Sequence, residues 1–292
     1  MSRVFKSKPR IAAAALLVAL AALAVWAFWL EPASVTVRRV GLRVPRWHAE
    51  HRGLKLAVLT DLHVGSPYMG LAKLARVVER TNEERPDAVV MLGDFVIGGP
   101  KDEGGERGGV LGGTFVEPEQ IGEELKRLRA PLGVYAVLGN HDCWFDCGRV
   151  AGALEAAGVR VLENRAARVE SGGRAFWLAG LADLWTQRPD VAGALRQVET
   201  EDPVLLLTHN PDIFPGVPPR VSLTVAGHTH GGQVNFPFVG RPVVPSRFGQ
   251  RYAMGHVVEG GRHLFVSGGV GTSIIPVRFR VPPEVVILTL TP

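Results

Sequence analysis

Five of the nine histidines, His63, His141, His209, His228 and His230, stand at the ends of short apolar runs, together with Asp61, Asp94, Asn140 and Asp142. A single histidine in such a place is ordinarily structural. Five at the same end of successive elements point instead to a shared site. Aspartate and histidine together suit divalent ions of borderline hardness such as Mn, Fe or Zn. In Asp61-Leu62-His63, residues two apart at an extended strand end point the same way, so both reach one ion. His228 and His230 share that spacing, and Asp94, at its glycine turn, is placed to bridge two ions. Gly93, Gly139 and Gly227 precede these residues and permit close backbone approach.

The elements that must carry these residues read as alternating strands and helices. Strands are expected over Leu54–Thr60, Ala88–Leu92 and Gly133–Leu138, with helices over Leu71–Glu84 and Pro118–Arg129 between them. That alternation implies parallel strands joined by right-handed crossovers, with ligands collecting at the carboxyl ends of the strands. The second half adds strands over Ala175–Leu181, Val204–Thr208, Ser222–Ala226, His263–Ser267 and Val285–Leu290, and a helix over Val191–Val198. Gly98–Gly113 holds eight glycines and no Gly-Lys-Ser/Thr ending, so it is no P-loop; it reads as a mobile surface loop, or a lid over the site.

Asp61-Leu62-His63, Gly93-Asp94, Gly139-Asn140-His141-Asp142, His209 and Gly227-His228-Thr229-His230 resemble, in order and spacing, the calcineurin-like metallophosphoesterases. His209-Asn210-Pro211-Asp212, Gly231-Gly232-Gln233 and the tail Pro276-Val277-Arg278-Phe279-Arg280 with Pro283-Glu284 are similar to its membrane-associated bacterial branch, typified by YkuE and YaeI. The likeness spans roughly residues 35–290. It implies an α/β fold, a four-layer α/β/β/α sandwich, over a domain of residues 34–292. It also implies two divalent metal ions. Asp61, His63, Asp94 and His230 would hold one, and Asp94, Asn140, His209 and His228 the other. His141 would contact the phosphate and protonate the leaving group, with Asp142 supporting it. Cys143 and Cys147 lack zinc-finger spacing and read as small buried residues, with a local disulfide as the alternative outside the cytoplasm.

The implied reaction is hydrolysis of a phosphodiester or pyrophosphate bond by a metal-bridged hydroxide. Two ions about 3.5–4 Å apart can clamp the phosphoryl group during in-line displacement. Neither the Gly-x-Ser-x-Gly elbow nor His-Glu-x-x-His occurs. Two rival readings are a UDP-2,3-diacylglucosamine pyrophosphatase of lipid A synthesis, which needs a cytoplasmic active site, and a non-catalytic scaffold of the same fold.

The net charge of +5 suggests nucleic acid at first sight, but its distribution removes that reading. Residues 1–55 hold ten basic and two acidic residues, whereas residues 56–292 hold 23 and 26. No nucleic-acid partner is indicated. Residues 1–10 are basic, and 11–30 contain only Ala, Leu, Val, Ile, Trp and Phe, the length of a membrane span. An uncleaved single-pass anchor is expected rather than a signal peptide, with the membrane as partner and a lipid-linked phosphoester among the substrates it would suit. The four basic residues before the span and Arg38, Arg39, Arg43 and Arg46 after it pull orientation in opposite directions. If the latter belong to a folded surface, the catalytic domain lies outside the cytoplasm.

Overall fold

The computed structural model describes residues 7–98 and 110–292. Helix α1 (Ser7–Val25) runs through a π-helical turn (Trp26–Leu30) into a last helical turn, α2 (Glu31–Ala33). Arg10–Ala33 forms a continuous apolar helix of 24 residues, long and apolar enough to cross a membrane and almost wholly exposed. Its base is tied to the rest of the chain. The backbone N–H of Arg278 donates to the Ala27 carbonyl at 2.9 Å, and that of Val281 to Glu31 Oε1 at 2.7 Å. Lys73 Nζ donates to the Pro32 carbonyl at 2.6 Å.

Two six-stranded sheets follow. The first has the order β1 (Thr36–Arg43), β12 (Glu284–Thr291), β2 (Leu54–Leu59), β3 (Ala88–Leu92), β4 (Val134–Val137), β5 (Arg160–Val161). β2, β3 and β4 are parallel, as the alternating pattern predicts, and β12 runs antiparallel to β2. The second has the order β10 (Gly255–Glu259), β11 (Arg262–Val266), β9 (Leu223–Ala226), β8 (Val204–Leu207), β7 (Arg174–Gly180), β6 (Arg165–Ser171). β3 and β8 are uninterrupted apolar runs because both of their faces are covered, and β2 and β9 depart from that pattern only at Lys55 and Thr224.

Between the sheets lies one core, with Leu56, Val58 and Val90 of the first meeting Phe176, Leu205 and Val225 of the second. Each such side chain contributes about 1.5–3 kcal/mol by leaving water. On the outer face of the first sheet, α3 (Leu71–Glu83), α4 (Pro118–Leu125), α5 (Asn140–Phe145) and α6 (Cys147–Ala156) cover Leu59, Val89 and Met91. The outer face of the second is covered by α7 (Val191–Arg196) and by 3-10 turns at Pro211–Gly216 and Gly249–Tyr252, which bury Phe214 and Tyr252. The result is the four-layer α/β/β/α sandwich, with a thin second helical layer.

Several expectations are adjusted. α4 stops at Leu125 rather than Arg129, because Lys126–Leu128 turn the chain toward Pro131 and β4. Arg38 and Arg39 lie on β1 and pair with Glu284 and Glu84, so they belong to the folded surface. Cys143 and Cys147 are joined by a disulfide instead of packing as separate small residues. The break at Asp146 between α5 and α6 brings their Cα atoms to 4.2 Å. Of the glycine-rich segment, 99–109 lies outside the described residues. Its end packs down: Val110 is buried, and Leu111 N–H donates to the Ile274 carbonyl at 2.9 Å.

Candidate metal centre

The carboxyl ends of β2, β3 and β4 meet those of β8 and β9 at one edge of the sandwich. Asp61 and His63 follow β2, Asp94 follows β3, and Asn140, His141 and Asp142 follow β4. His209 follows β8, and His228 and His230 follow β9. All nine side chains are buried. They gather into two groups, Asp61–His63–Asp94–His230 and Asp94–His209–His228, within each of which the ligand atoms lie inside 4.8 Å of one another. Asn140 Oδ1 joins the second, 3.1 Å from His209 Nε2.

The local route differs from the extended strand end expected for Asp61 and His63. β2 ends at Leu59, and Asp61 and His63 take left-handed backbone conformations, with φ of 51° and 43°. Asp94, His228 and His230 do the same, at 56°, 69° and 51°. Such conformations are uncommon outside glycine and are retained at functional sites. His228 and His230, despite their shared spacing, turn to different groups. Close approach needs the glycines. A Cβ at Gly139 would collide with the Asp94 carboxylate, and one at Gly227 would lie 2.7 Å from Asp61 Oδ2.

Asp94 divides its two oxygens. Oδ1 accepts from the His141 backbone N–H at 2.9 Å. Oδ2 lies 3.3 Å from both His63 Nε2 and His209 Nε2. His209 Nδ1 donates to the Leu92 carbonyl at 2.6 Å, which turns Nε2 toward the centre. His63 Nε2 and His230 Nε2 face each other at 3.1 Å, as do His228 Nδ1 and His209 Nε2. Asp61 accepts from Thr60 Oγ1 at 2.8 Å and from the His228 backbone N–H. Asp142 spends both oxygens on backbone N–H groups of Asp94, Phe95, Val96 and Gly139, and so holds the β3 and β4 loops together without facing the centre.

The carboxylates favour a proton on one imidazole, His209, and burial disfavours it on His141, His228 and His230. Burial lowers His209, but the Asp94 and Asp61 carboxylates overcome it and push its pKa up to about 10. Burial raises Asp94, yet His209 and His141 hold it well below the usual carboxylate range. Burial and the neighbouring His209 push His228 down to about 3. Burial pushes His141 down to about 4. A divalent cation fits this donor set. It would replace the His209 proton against Asp94 and relieve ring nitrogens that now face one another.

The calcineurin-like phosphoesterase profile matches residues 54–232, the stretch that carries eight of these nine residues and the ninth, His230, near its end. The chain belongs to the calcineurin-like phosphoesterase family. It is 31% identical over 241 residues to the uncharacterized metallophosphoesterase YkuE of Bacillus subtilis, covering 82% of this chain and 79% of that protein. Phosphodiesterase YaeI of Escherichia coli is 31% identical over 242 residues, with 81% and 82% covered. A transmembrane protein with metallophosphoesterase domain from Danio rerio is 30% identical over 82% of this chain, which spans about half, 53%, of that longer relative. The chain is accordingly a metal-dependent phosphoric ester hydrolase.

Other residues at this edge escaped the reading of the sequence. Arg278, fully buried, donates to the carbonyls of Gly268, Gly269, Gly271 and Val281. It thereby holds the loop whose Gly271 N–H donates to the Asp61 carbonyl at 2.7 Å. Gln233 Oε1 accepts from Ser273 N–H at 2.7 Å, and its Nε2 donates to the Ile275 carbonyl at 3.1 Å. Both residues sit in runs that the sequence singles out, but without a role. Trp144 and Trp185 pack on His141 and His228 at 4.8 and 4.3 Å between ring centres, and nothing in the sequence marks them.

Proposed function

We propose that the chain is a membrane-anchored phosphodiesterase acting on a phosphodiester or pyrophosphate bond. Asp61, His63, Asp94 and His230 would hold one divalent ion, and Asp94, Asn140, His209 and His228 the second. The observation that carries this is Asp94 Oδ2, equidistant at 3.3 Å from a histidine of each group. Two divalent ions there would polarise the phosphoryl group and activate a water between them. The residues themselves do the positioning. The His141 N–H fixes the Asp94 carboxylate, Leu92 fixes the His209 tautomer, and Thr60 fixes Asp61. His141 Nδ1 faces the Ile97 carbonyl at 3.3 Å, leaving Nε2 for the substrate.

A diester is favoured over a monoester by the walls of the site. Among the described residues, no lysine or arginine lines its cavity, so besides bound metal and an imidazole that takes up a proton there is no permanent cation to neutralise a second phosphate charge. The name of YaeI points the same way. The N-terminal helix supports anchoring, and the Cys143–Cys147 disulfide supports a domain outside the cytoplasm. The test is turnover by the full chain, with Mn added, of bis-4-nitrophenyl phosphate and of 4-nitrophenyl phosphate. Preference for the diester is expected; a preference for the monoester would refute the reading.

A further inference from the structure

The metal centre is not the end of its cavity. A space of about 980 Å³ runs from Asp94, Asn140 and His228 to the N-terminal helix, where Leu20, Leu23, Ala24, Ala27 and Phe28 form one wall. The opposite wall comprises Val243, Ile274, Ile275, Val277 and Phe279. One end is therefore a cluster of carboxylates and imidazoles, and the remainder is an apolar trough. Specific bonds build it. Gln233 clips Ser273 and Ile275, and Asn235 N–H donates to the Phe279 carbonyl at 2.9 Å. Arg278 N–H and Glu31 fasten the helix alongside.

The depth of the trough follows from the helix. At about 1.5 Å per residue, Leu20–Phe28 covers on the order of 12 Å of helix axis. A helix crossing a hydrocarbon layer of about 30 Å needs nearly all of 11–30, so Leu20–Phe28, in the second half of the span, and the trough beside it lie within one leaflet. The rim agrees. Val243 and Ile274 line the cavity and are exposed, and Phe238 and Val239, in the turn that follows the lining residue Phe236, are exposed too, an unfavourable arrangement in water and a suitable one in lipid.

We propose that the substrate is an amphiphilic phosphoester drawn from the bilayer, its phosphate at the metal centre and its hydrocarbon chain in the trough between Ala24 and Ile275. This rests on the phosphodiesterase reading and adds the substrate class to it. A water-soluble ester would leave the trough unfilled. An amphiphile matches both ends, and reaches them laterally without leaving the leaflet. The helix is then part of the substrate site as well as an anchor.

The test uses the full chain in phospholipid nanodiscs with Mn, and two diesters that share a leaving group: methyl and dodecyl 4-nitrophenyl phosphate. Each methylene moved from water into an apolar wall is worth up to about fourfold. The wild type should favour the dodecyl ester in kcat/KM by at least about 100-fold. Partition into the disc contributes to that ratio, so the decisive comparison is with Ala24→Trp, which fills the trough, and Ile275→Asn, which makes it polar. Both should lower the dodecyl-to-methyl ratio by at least about tenfold in the same discs. Metal content equal to wild type shows that each variant is folded. Turnover of both esters with an unchanged ratio in both variants would overturn the trough as a chain site, leaving it as a seat for a partner helix. Turnover of neither ester by wild type would overturn the phosphodiesterase reading itself.

Discussion

Asp94 gives each oxygen a separate task, and that division sets what its loss should do. With Oδ2 directed at both groups, Asp94→Ala should remove metal from both, whereas Asn140→Ala, which touches the second group alone, should lower metal content to about one ion per chain. Elemental analysis of the purified full chain decides; equal losses in the two variants would contradict a shared Asp94. His141 poses a sharper question, because burial pushes it down to about 4 and its Nδ1 is committed to Ile97. Its ring is neutral at pH 7 in the free chain, so a proton on Nε2 must be recruited by the negative charge of the substrate. If it then serves the leaving group, His141→Ala should slow esters with poor leaving groups by about 10²–10⁴ while sparing nitrophenyl esters. An unchanged dependence on leaving-group pKa would exclude that role. The residues of the centre were visible in the sequence because each ends an apolar run. Their geometry was not. Five of them take left-handed conformations, and the parting of His228 from His230 depends on how two sheets meet.

At the scale of elements, buried strands and the edge strand β1, where Ser34–Val44 reads as a strand, were legible, and the edges of the second sheet were not. β3 and β8 are apolar throughout and β2 and β9 nearly so, whereas β6 and β10 are edge strands of mixed polarity that the periodic reading passes over. Their signal lay in the turns. Ser171-Gly172-Gly173-Arg174 and Glu259-Gly260-Gly261-Arg262 each close an antiparallel hairpin, with positive φ at both glycines. The helix base carries a charge that the pattern of α3 hides. Lys73 lies on its buried face, where burial, with Arg278 and Arg76 nearby, pushes the ammonium down to about 7 from its ordinary 10.5. The unfolded chain then binds more protons than the folded one between those values, so stability rises with pH through that window. The gain attributable to Lys73 between pH 7 and 9.5 is on the order of 3 kcal/mol. Lys73→Met should remove it. Thermal unfolding of both proteins at the two pH values checks this, and parallel slopes would show that Lys73 is not the source.

The whole molecule joins a helix, a trough and a metal centre through one short stretch of chain, Gly268–Glu284. Arg278 fills its interior, Gly271 holds Asp61, and Arg278 and Val281 hold the helix base. That continuity could not be read from composition, since it pairs residues some 250 positions apart. It changes what removal of the anchor should do. A span alone would make its deletion yield a freely soluble domain. Here the rim residues Phe238, Val239, Val243 and Ile274 remain exposed after the helix is gone. A chain lacking residues 1–25 keeps Ala27, Glu31 and their bonds to the 278–281 loop, so it should fold. It should lose resistance to alkaline extraction yet still float with phospholipid vesicles at high salt, because apolar insertion is not screened. Phe238→Ser with Ile274→Ser in that truncated chain should lower vesicle binding by at least about tenfold, since a large apolar side chain contributes about 1.5–3 kcal/mol when it leaves water. Flotation assays measure each step. A truncated wild-type chain found wholly in the vesicle-free fraction would assign all membrane attachment to the helix and take the rim out of the bilayer.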